Sequence, residues 1–211
     1  MTRQRRTNEE WSTETRAALM AAARAAFEHG YDEASIESIA AAASLTKGAV
    51  YHHYQDKRAL FRAVFESVEE EIVQSIERAA LKQATPYDGL LRGCEAFLDA
   101  VLEERAARIV LVDGPRVLGW KVWREIDART GGLSLRRGLK AAMEAGQIVR
   151  TDVDAMATLI SGGLNECALL CAESGASQRR RAAAGKALRL LLAGLRLPVE
   201  LQPELNGPRS D

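Results

Sequence analysis

The stretch from Thr46 to Ala49 combines a helix-capping side chain with a cation and two small residues. Thr46 can accept a hydrogen bond at the start of a short helix, which leaves the following backbone amides pointing outward. Such amides attract an anion, and a phosphate of a nucleic acid is a suitable one. Gly48 and Ala49 are small enough to let this end of the helix approach a base edge closely.

Polar side chains continue along the same short helix. Lys47, Tyr51, His52 and His53 offer a cation, a hydroxyl and two imidazoles within two turns, and Lys57 follows at the start of the next helix. Small residues and hydrogen-bond donors at the N-terminal end of a second short helix are typical of a recognition helix in the DNA major groove. On spacing alone, an ordinary polar surface helix is an equally good interpretation.

Other reactive side chains do not form a convincing site. His52 and His53 are adjacent and point in different directions, and the third histidine is His29, so we expect no metal site. The cysteines contain no Cys-x-x-Cys pair and are expected to be buried thiols in a reducing cytosol. The sequence has no Glu-x-x-His pair, no Gly-rich phosphate loop and no histidine after residue 53. We therefore predict no catalytic residue and no cofactor.

Composition limits the classes of protein that fit. Hydrophobic residues make up 47% of the chain, only 5 prolines interrupt it, and no run alternates with period two, so we predict an all-α fold. The formal net charge of zero gives no support to nucleic-acid binding, which would need a local basic patch. We expect no signal peptide, because the apolar stretch over 17–27 contains Arg24 and follows acidic residues, and no uncharged run is long enough for a membrane span. A cytoplasmic protein without membrane contacts is expected.

Caps and apolar spacing predict four helices at the N-terminal end, of which the second and third are short. The first helix is expected over about 9–29 and ends at Gly30, while Ser35 caps the second and Thr46 the third. A long fourth helix is expected over about 56–81. Their shared core is predicted to contain Phe27, Ile36, Ile39, Leu45 and Val50.

The rest of the chain is predicted to form a larger helical domain, with about nine helices in all. A break or kink is expected at Asp113-Gly114-Pro115, and Gly131-Gly132 is a candidate split. We predict helices at about 86–104, 106–112, 119–145, 153–173 and 177–197. The predicted domains are a DNA-binding domain over 1–55, a second domain over 56–199 connected through the fourth helix, and a disordered tail over 200–211. Arg3, Arg5 and Arg6 form either a solvated terminus or a basic arm.

The run from Phe27 to Phe61, FEHGYDEASIESIAAAASLTKGAVYHHYQDKRALF, resembles the N-terminal DNA-binding domain of TetR/AcrR-type transcriptional regulators. Many positions match at fixed spacing, from Gly30-Tyr31 through Thr46-Lys47-Gly48 to Tyr51 and Lys57. Two positions depart from the family pattern. Ser44 stands where the turn usually has glycine, which has a modest backbone cost, and Tyr54 stands where phenylalanine is commoner.

The resemblance implies a function as well as a fold. It implies a dimer that binds a palindromic operator, usually represses transcription, and releases DNA when a small molecule binds the C-terminal domain. By resemblance, the early part of the third helix faces DNA and Lys57 faces a phosphate. The predicted DNA-binding residues are Ser35, Thr46, Lys47, Gly48, Ala49, Tyr51, His52, His53 and Lys57.

Candidate ligand contacts lie in the second domain. Trp120 and Trp123 beside Arg116 could line a pocket for an aromatic or anionic ligand, or the indoles could simply fill the core. Arg116 could equally pair with Asp113. Asn165 interrupts an otherwise apolar helix and suggests a hydrogen bond to a ligand or across an interface. The predicted ligand-binding residues are Phe97, Arg116, Trp120, Trp123, Met143 and Asn165.

The last two helices are apolar enough to form either the core of one subunit or a contact between two. Small and large apolar residues alternate on both, which suits close helix packing. The family resemblance favours a subunit interface, and a two-fold dimer would place two recognition helices one DNA turn apart. The predicted interface residues are Leu159, Gly163, Leu164, Ala168, Leu191 and Leu195.

Three functions are compatible with an all-α chain of this kind. A ligand-released, dimeric repressor agrees best with the motif and the long helical C-terminal part. A ligand-independent regulator or an activator of the same fold is the alternative, and the sequence does not separate it from the first. An all-α enzyme or carrier with a degenerate helix-turn-helix would need a catalytic set that the sequence lacks.

Overall fold

The computed structural model of the chain describes residues 8–103, 106–172 and 177–196. The predicted tail and Arg3, Arg5 and Arg6 lie outside the described residues. The all-α prediction is confirmed: the described residues form ten α-helices and one π-helical turn. These are α1 Asn8–Phe27, α2 Ile36–Ala42, α3 Lys47–His53, α4 Lys57–Ala80, α5 Pro86–Glu103, the π-helical turn Arg108–Asp113, α6 Gly114–Leu118, α7 Trp120–Arg129, α8 Gly131–Glu144, α9 Val153–Ala172 and α10 Ser177–Ala193.

The chain divides into two compact units that do not follow a single cut in the sequence. The first unit comprises the residues up to Val68 together with Arg108–Trp123, and the second comprises Glu69–Ala107 and the chain from Arg124 onward. The first unit thus extends beyond the predicted range 1–55. It takes in the first half of α4 and a segment that the sequence assigned to the second domain.

The predicted break or kink at Asp113-Gly114-Pro115 coincides with a change of helix type, because the π-helical turn ends at Asp113 and α6 begins at Gly114. The π-helical turn continues directly into α6, and Pro115 lies within the first two residues of that helix. Proline is tolerated there because the first backbone amides of a helix have no acceptor within it. The predicted helix over 119–145 is two helices, α7 and α8, that separate at Thr130, next to the glycine pair proposed as a split.

An aromatic cluster holds the first unit together. Phe27 and Phe61 are fully buried and meet edge to face, with ring centroids 5.1 Å apart. Tyr31 stacks on Phe27 at 5.8 Å and meets Phe61 edge to face at 5.2 Å. Edge-to-face and offset pairs of this kind add to the stabilisation from burial alone. The predicted core is confirmed for Phe27, Ile36, Ile39 and Val50, whereas Leu45 is only partly buried.

The turn between α2 and α3 is a Schellman motif built on serine. Ser44 has a φ of 57°, and the flanking amides of Ser44 and Leu45 donate to the carbonyls of Ala41 and Ala40 at 3.0 and 2.8 Å. A left-handed serine costs backbone energy that glycine avoids, which agrees with the prediction for this position. The motif closes α2 and sets the direction in which α3 leaves.

Asp113 connects the π-helical turn to the loop between α1 and α2. Its carboxylate is buried and accepts a hydrogen bond from the backbone amide of Tyr31 at 2.9 Å. Arg116 donates to the same carboxylate at 2.9 Å, and Arg108 donates at 3.3 Å. Arg116 also reaches the exposed Asp32 at 2.8 Å. The predicted pairing of Arg116 with Asp113 is therefore present in the structure.

Close packing surrounds this carboxylate. A Cβ added to Gly114 would lie 2.8 Å from Phe65 and 3.0 Å from Trp123, so the residue after Asp113 has no room for a side chain. The indole of Trp123 donates to the carbonyl of Val110 at 2.8 Å. On the other side, Arg58 of α4 donates to the carbonyls of Val117 and Leu118 at 3.0 Å each, which completes the C-terminal end of α6.

The hydrogen bonds to Asp113 determine its ionisation. Burial acts to raise the pKa of the Asp113 carboxyl, but the bonds from the Tyr31 amide, Arg116 and Arg108 outweigh it and hold this pKa below its ordinary value of 3.8. A carboxyl whose pKa is lowered by folding stabilises the folded state above its unfolded pKa. That contribution is lost as the pH falls through the folded pKa.

We predict that Asp113→Ala destabilises the first unit. The substitution leaves the Tyr31 amide without its acceptor and removes two arginine contacts, so we expect a loss of roughly 2–3 kcal/mol in the free energy of unfolding at pH 7. The stability difference from the wild type should shrink as the pH falls below 3.8, where the wild-type carboxyl becomes protonated. All 3 tryptophans belong to this unit, so urea unfolding followed by tryptophan fluorescence measures it.

Asp32→Ala is the matched control, because Asp32 is exposed and pairs with the same Arg116. An exposed ion pair contributes little, so this variant should lose less than about 1 kcal/mol. Equal urea midpoints for the two variants would show that the buried carboxylate has no special role.

The second unit is built around α5, α8, α9 and α10. The carboxylate of Glu95 on α5 is buried and pairs with Arg92 of the same helix and Arg189 of α10. Arg181 of α10 pairs with Asp99 at 2.6 Å and donates to the Glu95 carbonyl at 3.0 Å. Charged residues of α10 thus attach it to α5. The apolar core of the unit includes Leu98, Val101, Leu139, Ile160, Ala168 and Leu192.

Glu69 is a third buried carboxyl, and no cation of the described residues pairs with it to offset its burial. It is 4% exposed, and Thr130 donates to its carboxylate at 2.8 Å. Burial is the largest influence on its pKa, and together with the nearby charge of Asp127 it raises that pKa to about 7, from an ordinary 4.5. The ionised form is therefore unfavourable in the folded protein.

We predict that Glu69→Gln stabilises the protein at alkaline pH. A carboxyl with a raised folded pKa stabilises the fold below its unfolded pKa and loses that contribution as the pH rises from 4.5 to about 7. Glutamine has no charge to lose, so the variant should become more stable than the wild type by up to roughly 3 kcal/mol at pH 8. Urea unfolding followed by circular dichroism from pH 5 to pH 8 measures the difference. Glu70 is an exposed neighbour, so Glu70→Gln should leave the pH dependence of stability as it is in the wild type. If the difference in free energy of unfolding between Glu69→Gln and the wild type did not change with pH, the raised pKa would be contradicted.

Helix α9 has an apolar surface on both sides. By length and composition it could cross a membrane, with a mean hydropathy of 1.4, and it is the one such helix among the described residues. Ala157, Ile160, Leu164, Ala168 and Cys171 are buried against the rest of the second unit. Leu159 and Leu170 are 72% and 46% exposed. One apolar side therefore serves the core, and the other has no partner among the described residues.

Candidate functional site

The third helix is presented by its caps and by one buried residue. Thr46 accepts a hydrogen bond from the Ala49 amide at 3.2 Å, and Ser35 forms a reciprocal capping box with Ser38 at the start of α2. Val50 is fully buried, and the Tyr54 hydroxyl lies 3.2 Å from the sulfur of Met20 on α1. One side of α3 is thereby fixed to the scaffold, and the predicted capping roles of Ser35 and Thr46 are confirmed.

The opposite side of α3 carries most of the predicted DNA-binding residues. Tyr51 is 45% exposed, and the Lys47 ammonium lies 5.9 Å from the centre of its ring. The rings of His52 and His53 are exposed and lie 5.4 Å apart. Ala49 and Ser35 are partly buried. The exposed members of the predicted set are Thr46, Lys47, Gly48, Tyr51, His52 and His53.

Lys57 occupies a different environment from that of α3. Its ammonium lies 4.2 Å from the centre of the Tyr31 ring, and the residue is partly buried at the start of α4. A cation over an aromatic face is attracted by the ring quadrupole. The backbone amide of Tyr31 also donates a hydrogen bond to the Asp113 carboxylate. The predicted contact of Lys57 with a phosphate stays a prediction.

The sequence reading missed a partner of Lys47. Its ammonium forms an ion pair with Glu37 of α2, although both side chains are more than half exposed. The hydrogen bond from Lys47 lowers the pKa of Glu37, and the same bond raises the pKa of Lys47, so both groups are charged at neutral pH. The two residues are 10 positions apart, and only the turn geometry between α2 and α3 brings them together. A carboxylate thus lies beside the cation that α3 would offer to DNA.

A cavity of about 600 Å³ lies in the second unit, among α4, α5, α7, α8 and α9. Its wall is mainly apolar, and it includes Phe97 and Asn165 of the predicted ligand set. The side-chain amide of Asn165 has no hydrogen-bond partner in the described part of the chain. Leu81 lines the cavity and is 84% exposed, which places it at the opening.

The other predicted ligand residues do not line this cavity. Trp123 is 4% exposed with its indole bonded to Val110, and Trp120 stacks on it at 4.9 Å while being 61% exposed. Arg116 is engaged by Asp113 and Asp32. All three belong to the first unit, and the buried Met143 belongs to the core of the second. The core interpretation of the tryptophans therefore applies to Trp123.

The cavity also has a wall residue that sequence reasoning missed. Asp127 of α7 lines it, and burial raises the pKa of its carboxyl more than the positive charges of Arg124 and Arg136 lower it. In the sequence, Asp127 looks like any solvent-exposed acidic residue of an amphipathic helix, so nothing there marks it as a cavity residue. Only the packing of α7 identifies it.

The predicted interface residues fall into two groups. Leu159 and Leu191 are 72% and 54% exposed, and Gly163 is exposed with open space beside it. Leu164 and Ala168 face the interior of the second unit, where Leu164 also lines the cavity, and Leu195 is partly buried. The helical period accounts for the difference, since residues 164 and 168 lie on the side of α9 that packs on the rest of the unit.

A capped three-helix unit with an exposed polar third helix is the arrangement found in helix-turn-helix DNA-binding proteins. Two family models match the chain: the one described as bacterial regulatory proteins of the tetR family covers residues 18–64, and the tetracyclin repressor-like C-terminal domain covers residues 87–195. The chain belongs to the TetR family, and the resemblance drawn from Phe27–Phe61 is confirmed. Members of this family are non-enzymatic regulators of transcription that bind DNA and generally act as dimers with small-molecule effectors.

Individual relatives agree with the family assignment. A TetR-family transcriptional regulator from Pectobacterium atrosepticum is 35% identical, with a TM-score of 0.77, and the match covers 92% of this chain and 99% of that one. The A-factor receptor protein of Streptomyces griseus is 29% identical over 146 residues, which is 65% of this chain and 49% of the receptor. The regulator CymR of Pseudomonas putida is 32% identical over 133 residues, which is 60% of this chain and 65% of CymR. The matches to these last two proteins cover less than two thirds of their lengths.

We predict that Glu37→Gln strengthens binding to DNA. The substitution removes a negative charge beside Lys47 and frees that ammonium for a phosphate, so affinity should rise several-fold for specific and random duplexes alike. The slope of log affinity against log salt should steepen by about one. Fluorescence anisotropy of labelled duplexes between 50 and 200 mM salt measures both quantities.

Glu66→Gln is the control for Glu37→Gln. Glu66 forms a comparable exposed ion pair with Arg62 at 3.0 Å, but on α4 instead of beside α3. It should change DNA affinity much less. If the two variants bind DNA equally, the ion pair of Lys47 and Glu37 does not lie at the DNA interface.

Proposed function

We propose that this chain is a dimeric repressor that binds a palindromic operator through α3 and leaves it when a small molecule occupies the cavity of its second unit. The observation that carries the proposal is the exposed polar side of α3, held on its scaffold by Val50 and Tyr54. A rigid short helix with exposed Lys47, Tyr51 and His52 suits the contacts that a major-groove helix makes with bases and phosphates.

Basic side chains on and near α3 support DNA binding, although the net charge of the chain is zero. Lys47 and Lys57 lie on and next to α3, and Arg3, Arg5 and Arg6 precede α1 in the sequence. We propose that Lys47 contacts a phosphate once it separates from Glu37, and that Lys57 contacts a neighbouring phosphate. The exposed ion pair costs little to open, because water screens both charges.

The exposed apolar side of α9 and α10 supports a dimer. Leu159, Leu190 and Leu191 are 72%, 67% and 54% exposed, and they accompany the exposed Gly163. Single exposed leucines are ordinary, but several on two packed helices are typical of a contact surface. We propose that a second copy covers this side with the same residues about a two-fold axis. Leu164 and Ala168 are left out of the proposed contact, because they face inward.

The cavity supports release by a ligand over a ligand-independent regulator. Its volume of about 600 Å³ lies in the range of pockets for drug-sized molecules, and its wall is largely apolar. We propose that this cavity holds the effector, with Phe97 and Asn165 among its contacts. The protein is proposed to act in the cytoplasm without membrane contacts, and the apolar length of α9 is explained by its core side and its dimer side.

We predict that selection from a random duplex library with the purified protein yields an inverted repeat. For two copies related by a two-fold axis, the half-sites should lie about 10 base pairs apart, centre to centre, or a multiple of that. Tyr51→Ala should lower affinity for the selected site about tenfold or more, because it removes a contact to base edges, and should change affinity for random duplexes much less. Fluorescence anisotropy measures both.

His29→Ala, which removes an exposed residue outside α3, should bind like the wild type. A selected site without repeat symmetry would contradict the dimer. Equal losses on selected and random DNA for Tyr51→Ala would contradict a base-reading role for α3.

A further inference from the structure

The cavity of the second unit has an apolar body and few polar wall groups. Ile76, Leu90, Phe97, Leu135 and Leu164 supply most of the apolar surface. A cavity of about 600 Å³ with such walls binds chiefly by burying apolar area, and the sparse polar groups select the ligand. The polar groups therefore indicate the chemical class of the effector.

Asp127 is a cavity-wall residue whose carboxylate lacks hydrogen-bond donors among the described residues. Within the described residues, no hydrogen bond and no ion pair reaches its carboxylate. The positive charges of Arg124 and Arg136 act on this carboxyl, but burial outweighs them, Arg136 pairs with Asp154 at 2.5 Å, and neither arginine lines the cavity. The backbone amide of Thr130 donates to the backbone carbonyl of Asp127 at 3.2 Å, not to its side chain. A partly buried carboxylate without donors is costly, so a ligand that supplies one gains affinity.

A second carboxyl lies close to Asp127. Glu69 is buried and accepts from the hydroxyl of Thr130, the residue whose hydroxyl also lies 3.3 Å from the Asp127 carbonyl oxygen. The charge of Asp127 adds to burial in raising the pKa of Glu69 to about 7. Two carboxyls in one weakly solvated region repel each other when both are ionised. A positive charge at Asp127 would relieve that repulsion, whereas a neutral or negative group would not.

The remaining charges do not favour an anion at this place. Arg137 lines the cavity but is an exposed residue of α8, and Glu77 is an exposed carboxylate of α4 on the same wall. The charges of Arg137 and Glu77 offset each other, so Asp127 determines the net charge of the cavity lining. A protonated amine satisfies both needs of Asp127, because it donates hydrogen bonds and carries a positive charge.

We propose that the effector is a predominantly apolar amine whose protonated nitrogen binds the Asp127 carboxylate while its hydrocarbon part fills the cavity between α5 and α8. This inference rests on the proposed ligand-released function for the identity of the site as an effector site, but the ligand class follows from the cavity alone. Asn165, whose amide is unpartnered in the described part of the chain, gives a second polar contact on α9 for a more elaborate member of the class.

A matched series of ligands tests the class. The probes are 3,3-diphenylpropylamine, 3,3-diphenylpropan-1-ol and 3,3-diphenylpropanoate, which share one apolar skeleton and differ in the polar group. Isothermal titration calorimetry at pH 7 with the full-length protein should rank the amine first, about tenfold tighter than the alcohol, because a charge-assisted hydrogen bond exceeds a neutral one. The carboxylate should bind most weakly.

Two variants locate the amine. Asp127→Asn keeps the size of the side chain and removes its charge, so the preference of the amine over the alcohol should fall from about tenfold to less than about threefold. The affinity of the alcohol should stay the same. Glu125→Gln removes an exposed carboxylate two positions earlier on α7 and should keep the full preference. Thermal unfolding of Asp127→Asn checks its fold, and it should melt no lower than the wild type because the raised pKa of Asp127 marks an unfavourable charge.

The outcomes separate this inference from the function on which it rests. The ligand class is overturned if the alcohol or the carboxylate binds as tightly as the amine, if none of the three binds, or if the preference survives Asp127→Asn. The same titrations on protein bound to its selected operator then measure release by anisotropy. An amine that binds through Asp127 without releasing DNA would support the ligand class and overturn ligand-released repression. A carboxylate that releases DNA would do the reverse.

Discussion

The buried carboxylate of Asp113 is the interaction on which the first unit depends. It joins two parts of the chain that are 82 residues apart by accepting the amide of Tyr31. A buried carboxylate is tolerable only when donors surround it, and here one amide and two arginines do so. The loop before α2 is thereby fixed to the π-helical turn. Since α2 and its turn determine the direction of α3, this contact helps to place α3.

Local signals in the sequence predicted the N-terminal helices well. Ser35 and Thr46 cap the helices they were expected to cap, and Ser44 adopts the left-handed backbone that its place in the turn requires. These features depend on residues within a few positions of each other. The boundary at Asp113-Gly114-Pro115 was predicted, but the helix Gly114–Leu118 was not, because Pro115 stands at a position where a helix tolerates proline. Its place in the first unit depends on Tyr31 and Arg58, which no local pattern reveals.

The candidate sites divide in the same way. The exposed polar residues of α3 could be predicted, since capping, small size and polarity are local properties. The partnership of Lys47 with Glu37 could not, because it arises from the angle between two helices. The two tryptophans drew attention as rare aromatic residues, but one fills the core and the other stacks on it. The cavity wall instead includes Asp127, which we propose as a ligand contact because no described residue donates a hydrogen bond to its carboxylate.

The contact between Asp113 and residue 31 constrains the amino acid at position 113 much more than the one at position 31. Residue 31 contributes a backbone amide, which every amino acid except proline possesses. Position 113 contributes a side chain, and only a short carboxylate reaches that amide while pairing with both arginines. We therefore expect relatives with this contact to tolerate varied side chains at position 31 on its account, while position 113 and the glycine after it stay nearly fixed. The aromatic ring at 31 then reflects a separate demand, the packing against Phe27 and Phe61.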